Sequence, residues 1–296
     1  MFKNLSVFRI DAGLPGVTEM EAALECCVFA PPAPSSELGS GWIPPRGDDH
    51  GAMVELIDGH RILLWQAERR SVPASAVKAR LDELAAKVEA ETGRQPGAKW
   101  RKAMRSTVLL ELLPRAFPRR SQAHVWIDPA AERLAIEAGS LRRAEDVLDS
   151  LRSAFPDLGV TPLFACGMNA ATRWRVQMVR WLTHPELAEA DGLAVGQYVE
   201  LRALDGRRVV YDRHELGPNV MREHIEQAKL PTRMEMSRGE ASFVLGADGA
   251  LLKIDLGPGS KTGEDAFDAD VALATAELRQ IIDALVAATQ EEESKA

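Results

Sequence analysis

The side chains with the most chemistry to offer are cations gathered around one aromatic ring, in Leu112-Leu113-Pro114-Arg115-Ala116-Phe117-Pro118-Arg119-Arg120-Ser121-Gln122. An apolar helical run stops at Pro114, which lacks an amide hydrogen and clashes with the preceding turn. Three arginines then crowd around Phe117, a pattern that suits a surface contact beside a polyanion better than a core. The basic tract begins earlier: between Arg94 and Arg120 stand Arg94, Lys99, Arg101, Lys102, Arg105, Arg115, Arg119 and Arg120 against Glu111 alone. A second cluster, Arg207, Arg208, Arg213 and His214, falls on a hairpin and its following loop. A third interleaves Arg173, Arg175 and Arg180 with Trp174 and Trp181. That interleaving fits stacking on single strands. It fits an amphipathic helix with buried tryptophans as well, and burial is the reading adopted. No helix-turn-helix, zinc-finger or RNP signature accompanies these cations, so phosphate contacts without sequence preference are what they suit.

The chain as a whole is acidic, with 296 residues and a formal charge of -8. Local potential rather than the sum governs anion binding. Its acidity is concentrated at the end, where Glu264, Asp265, Asp268, Asp270, Glu277, Asp283, Glu291, Glu292 and Glu293 face only Arg279 and Lys295. Segregation of this kind implies one face for an anion and another for solvent or a partner. Cys26, Cys27 and Cys166 have no zinc-ligand spacing and are too few for a disulfide framework, which fits thiols in a reducing cytosol. No apolar run approaches the roughly 20 residues that span a bilayer. Met1-Phe2-Lys3-Asn4-Leu5 lacks the apolar core of a signal peptide, so a cytoplasmic protein is expected.

Enzyme motifs are weak. Gly257-Pro258-Gly259-Ser260-Lys261-Thr262-Gly263 resembles a phosphate loop but has no glycine directly before Lys261. Asp265, Asp268 and Asp270 lack the calcium-loop pattern, and Asp268 is placed to cap a helix. Asp248, Asp255 and Lys253 could mimic a nuclease triad, yet Asp248 is needed by a turn. The six histidines form no HExxH. A non-enzymatic protein without metal or cofactor is expected. The alternative is a metal-dependent nuclease or nucleotide hydrolase acting on DNA.

The elements that must position the cations are legible in outline. Asp58-Gly59, Asp205-Gly206 and Asp248-Gly249 each sit between strand-like runs and predict hairpins. These are Ala52–Leu56 with Arg61–Trp65, Tyr198–Ala203 with Arg207–Tyr211, and Ser242–Leu245 with Leu251–Leu256. A fourth hairpin joins Ala123–Ile127 to Leu134–Glu137 through Asp128-Pro129, and Phe2–Ile10 reads as an opening strand. Apolar periodicity predicts helices over Ser75–Glu91, Lys99–Leu113, Leu141–Phe155 with Ser140 as N-cap, Val220–Ala228 and Asp268–Thr289. Pro31–Pro45 reads as a loop. The expected class is α+β with mostly antiparallel sheets and packed helices. A central region of 1–75 and 120–165, a helical basic insertion of 76–119 and a C-terminal region of 166–296 are the expected units, with a boundary near Cys166-Gly167-Met168-Asn169.

At several places the chain resembles the RdgC family of recombination-associated DNA-binding proteins. Phe2-Lys3-Asn4-Leu5 is similar to the family's opening, and Gly41-Trp42-Ile43-Pro44-Pro45 to an early family element. Leu112 to Phe117, then Ser121-Gln122 and Trp126-Ile127-Asp128, is the most specific stretch. Ala144-Glu145, His224-Ile225-Glu226, Asp248-Gly249 and Phe267-Asp268-Ala269-Asp270 follow in the expected order. The resemblance implies a ring-shaped homodimer with two self-complementary contacts and a positive hole that encircles duplex DNA. It implies antagonism of RecA-promoted strand exchange and a nucleoid-associated, cytoplasmic location. Phe117 matches a family phenylalanine at the smaller ring contact, where it is expected to act as a gate, and Arg213-His214 a basic-polar pair near the DNA path. This chain departs in having Pro118 where a small polar residue is usual, and Ala276 in place of glycine.

Overall fold

The computed structural model describes residues 1–48, 50–164, 170–257 and 266–290, and the side chains of 170–173 and 290 lie outside that description. Its strands are β1 (Leu5–Ala12), β2 (Leu38–Ile43), β3 (Glu55–Ile57), β4 (His60–Arg70), β5 (Pro118–Asp128), β6 (Arg133–Glu137), β7 (Gly159–Pro162), β8 (Ala194–Ala203), β9 (Arg208–Tyr211), β10 (Lys229–Arg238), β11 (Ala241–Gly246) and β12 (Leu251–Asp255). Its helices are α1 (Val17–Glu25), α2 (Ala74–Thr92), α3 (Ala98–Leu112), α4 (Leu141–Ala154), α5 (Ala170–Thr183), α6 (Pro185–Ala190), α7 (Pro218–Glu226) and α8 (Ala266–Gln290). The strands form one 12-stranded sheet in the order β2-β4-β5-β6-β1-β12-β11-β10-β8-β9, with β3 beside β4 and β7 beside β1. All of these pairings are antiparallel. The α+β class is as expected.

The four hairpins fall where the turn residues place them. Asp58 and Gly59 take φ of 49° and 79°, the double left-handed conformation that a two-residue hairpin turn demands. At the β5–β6 turn the Asp128 carboxylate accepts the amides of Ala130 and Ala131, both at 3.1 Å. Ser140 caps α4, its hydroxyl accepting the Arg143 amide at 3.4 Å.

Other expectations need correction. The opening strand starts at Leu5, not Phe2. Pro31–Pro45 is not all loop, since β2 runs from Leu38 to Ile43 and pairs with β4. Its glycines hid it, and they are there for contact. A Cβ on Gly41 would lie 2.5 Å from the Phe29 backbone, because residues 27–29 cross β2 through Phe29 N–H to Trp42 O at 2.9 Å and Trp42 N–H to Cys27 O at 3.0 Å. Gly41→Ala is expected to cost about 1–3 kcal/mol by overpacking. Equilibrium denaturation checks this, and an unchanged midpoint would show that the crossing backbone yields freely. Strand β10 was not foreseen either. Pro231 interrupts its pattern, and the register shifts between Pro231 and Arg233, which marks a bulge that accommodates the proline. Residues 165–169 and 258–265, which hold the expected boundary and most of the phosphate-loop-like segment, lie outside the described residues, as do Glu291, Glu292 and Glu293.

Strand β1 is buried on both faces, and this organises the core. Leu5 and Val7 join one apolar cluster with Trp174, Met178 and Trp181 of α5, Met221 of α7 and Leu278, Ile281, Ile282 and Leu285 of α8. Phe8 and Ile10, on the opposite face by the period of two, join a second with Leu24 of α1 and Ala144, Val147, Leu148 and Leu151 of α4. Helix α8 also reaches residues of the first half by charge: Asp268 takes Arg46 at 2.5 Å, Asp283 takes Arg133 at 2.5 Å, and Arg279 lies 3.5 Å from buried Asp128. So Asp268 and Asp283 of the acidic helix face arginines of the same chain rather than solvent alone. Asp268 is the third residue of α8 and binds Arg46, not the pre-helix position expected of a cap.

The first five residues tie β6 to β12. Leu5 pairs with both Glu137 and Leu251. Asn4 O accepts the Ala138 amide at 3.0 Å, and Lys3 O accepts the Ile254 amide at 2.8 Å. The Asn4 side chain accepts the Lys253 amide at 3.0 Å. Phe2 is fully buried at a left-handed φ of 57°, its ring 6.0 Å from His124 and 6.3 Å from Trp126. The Lys3 amide and His124 Nδ1 also meet the Glu137 carboxylate, at 3.1 and 2.7 Å. Burial pushes that carboxyl up, but these hydrogen bonds outweigh it and hold it below its ordinary value.

Candidate nucleic-acid interface

The basic tract divides into helix, turn and strand. On α3, Val108 is buried and packs with Val77 and Leu81 of α2. That leaves Lys99, Lys102 and Arg105 exposed, three residues apart along the helix. Arg101 differs. It is half-buried, and its guanidinium is held by Asp82 of α2, so it pins the helical hairpin. Arg80 of α2 completes the pin through Glu111 of α3 at 2.7 Å, and Glu83 of its own helix steadies it at 2.9 Å.

After α3 the chain makes one 3-10 turn, Leu113–Arg115, with Leu113 buried. Ala116 is extended and β5 begins at Pro118. Proline is tolerated there because it opens the strand. Arg119 and Arg120 are therefore strand residues, not loop residues, and point to opposite faces. Arg120 binds Glu68 of β4 at 2.8 Å. Arg119 stands directly opposite Arg69 in the ladder. Like charges placed so are unfavourable without an anion between them. Phe117 lies on the bend and is 91% exposed, so it is no part of the core.

The second cluster lies on the β8–β9 hairpin. Arg207 is tied to Asp205 of its own turn at 2.6 Å. Arg208 is held by Glu200 of β8 at 3.0 Å. Arg213 follows β9 at a left-handed φ of 53°, and the His214 ring lies 5.8 Å from that of Tyr211. Tyr211 is itself anchored: its hydroxyl lies 2.8 Å from His224 Nε2, whose Nδ1 faces the Lys229 ammonium at 3.1 Å. An ammonium only donates, so Nδ1 accepts and the imidazole is held neutral. Burial, then the Lys229 charge, depress the His224 pKa accordingly.

The two clusters do not meet within one chain. Six strands separate β5 from β9 in the sheet, a path of about 34 Å at about 4.8 Å per strand. The third cluster is not a stacking platform, since Trp174 and Trp181 are buried and donate to Gly246 O and to the Asp191 carboxylate, each at 3.0 Å. The side chain of Arg173 lies outside the described residues. Among the described residues, Lys99, Lys102, Arg105, Arg115, Arg119 and Arg213 have no carboxylate partner.

Sequence reading missed Arg202 and Arg233, which share a face with Arg208. Arg202 stands opposite Arg208, and Arg233 opposite Glu200. The signal was alternation in Met234-Glu235-Met236, which identifies a strand once the proline bulge is allowed. Among the described residues there is no group of three or more His, Cys, Asp and Glu side chains arranged to hold a metal, and no helix long and apolar enough to cross a membrane.

A family model described as "RdgC: Putative exonuclease, RdgC" matches residues 1–292. A protein of Aeromonas hydrophila described as "Recombination-associated protein RdgC" is 32% identical over 99% of this chain and 98% of its own length. Proteins of the same description from Sodalis glossinidius and Cupriavidus necator are 30% and 34% identical, covering 97% and 94% of this chain and 96% and 94% of their own lengths. With its unpaired cations, its exposed Phe117 and a likeness that runs from end to end, the chain belongs to the RdgC family of recombination-associated proteins.

Proposed function

We propose that this protein binds duplex DNA without sequence preference, encircles it as a dimeric ring, and so modulates RecA-dependent recombination. The carrying observation is that, among the described residues, six cations of the two clusters have no carboxylate partner in a chain of net charge -8. Unpaired cations are available to displace counterions from phosphates. Lys99, Lys102, Arg105, Arg115 and Arg119 supply one group and Arg213 with His214 the other. Arg101, Arg120, Arg207 and Arg208 serve mainly to hold the local structure, and contact DNA only with what their carboxylates leave free. Two clusters about 34 Å apart along one sheet would be brought around a common axis by a twofold partner. Closure then needs a self-complementary contact, and Phe117 meeting its own copy provides one.

Gel shifts with linear and covalently closed duplex at graded salt test the reading. Binding to both forms is expected of a ring that opens, and no binding at low salt would end the proposal. A parallel arm with magnesium covers the reading that the word exonuclease in the family description favours, since loss of substrate there would mark a nuclease. Phe117→Ala is expected to leave the unfolding midpoint unchanged, because the ring is solvent-exposed. It should speed dissociation from closed circles while linear affinity changes little. Unfolding of this variant would instead assign Phe117 a structural role.

A further inference from the structure

The sheet leaves a second feature that duplex binding does not account for. Helices α5 to α8 cover one face of β8, β10, β11 and β12. On the other face, where α4 begins, a cleft of about 510 Å³ lies between the first turn of α4 and the strands. Arg175, Arg202, Arg208 and Arg233 line it, with Glu200 and Asp248 as the acids in its wall. Its size falls within the range of small-ligand sites.

The two acids have other work. Glu200 is buried and lies beneath Arg202 and Arg208, at 3.4 and 3.0 Å. Those arginines stand directly opposite one another across the β8–β9 ladder, an arrangement that like charges oppose and the carboxylate beneath them relieves. Each guanidinium carries five N–H donors, so most of both forks stays free. Asp248 accepts the Ala250 amide of its own turn at 3.3 Å. Arg175 and Arg233 have no carboxylate partner among the described residues. At the bulge, the Thr232 hydroxyl donates to the Glu200 carbonyl at 3.2 Å, which fixes the backbone from which Glu200 and Arg233 project.

We infer that this cleft is a site for a phosphate dianion, the charge state of a phosphate monoester or a free phosphoanion. Four guanidinium charges against two carboxylates leave a surplus of two, which matches a dianion and exceeds what a single backbone diester carries. Convergent arginine forks are the side chains best shaped for phosphate oxygens. The room beyond one phosphate admits the nucleoside attached to it, so the dianion's source is a strand terminus or a small phosphorylated molecule. The inference does not rest on duplex binding.

The test uses the intact protein and three probes: sodium pyrophosphate, a 5′-phosphorylated ten-nucleotide single strand, and the same strand with a 5′-hydroxyl. Thermal unfolding in pyrophosphate should exceed that in sodium chloride of equal ionic strength, and calorimetry should give a saturable site. Arg175→Ala with Arg233→Ala should weaken pyrophosphate binding at least about tenfold, since each lost charge-assisted contact is worth about that much. Arg152→Ala, an exposed arginine elsewhere on α4, should not change it. A phosphorylated strand that binds about tenfold tighter than its hydroxyl twin identifies a terminus; equal strand binding with tight pyrophosphate binding identifies a small-molecule site. Stabilisation that tracks ionic strength alone, or a folded double variant with unchanged affinity, overturns the inference. Because no probe is a duplex, failure here leaves the ring proposal standing.

Discussion

Raising sodium chloride from 50 to 200 mM is expected to lower the affinity for duplex DNA by about six orders of magnitude. Six unpaired cations per chain make twelve in the dimeric ring, and one phosphate neutralised by each gives a slope of about -10.8 in log K against log salt. A fourfold rise in salt then removes about 10⁶ in affinity. The triple variant Lys99→Ala, Lys102→Ala, Arg105→Ala, present in both subunits, should shallow the slope by about 5.4 on every sequence tried. Arg101→Ala should scarcely alter the slope, because Asp82 already holds that guanidinium; its effect belongs to the α2–α3 hairpin. Filter binding or anisotropy on two unrelated duplexes checks both statements. A flat salt profile, or loss confined to one duplex, would mean that these cations do not contact phosphates.

The second large effect lies at the second residue of the chain. Phe2→Ala is expected to cost about 3–5 kcal/mol, the usual range for truncating a buried aromatic. Chain ends ordinarily fray and tolerate change. Here the side chain is fully buried against His124 and Trp126, and the backbone around it bonds to both halves of the sheet. Denaturation followed by tryptophan fluorescence checks the cost. Trp42 and Trp65 belong to one core cluster and Trp126, Trp174 and Trp181 to the other, so both should lose structure in one transition. A variant as stable as the parent would show that the strands hold without the tie.

Much of the sheet was legible because its turns carry their own chemistry. Asp58-Gly59, Asp205-Gly206 and Asp248-Gly249 need left-handed backbone, and little else in a sequence looks like them. Strand β10 was hidden by Pro231, and β2 by glycines whose role is contact with a chain segment twelve residues earlier. Neither fact is local. The exposed position of Phe117 was legible from its charged neighbours, but not which neighbours were free. Arg101 and Arg105 look alike on the helix, and only the packing of α2 against α3 sets Asp82 beside the first. The cleft was illegible for the same reason. Arg202 and Arg233 stand 31 residues apart, and strand register alone puts them on one face.

The tie at the N-terminus has a consequence for how the molecule is made. Asn4 waits for Lys253, 249 residues later. At about 5–20 residues per second a ribosome takes roughly 12–50 s to supply that partner. Throughout that time β6 covers one side of β1 and β7 covers Phe8–Ala12 on the other, but the Leu5 end, which pairs with Leu251, has no strand on that side, and an unfilled edge is where strands from other chains add. Nascent chains of this protein should therefore need shelter at the Leu5 end of β1 until β12 emerges.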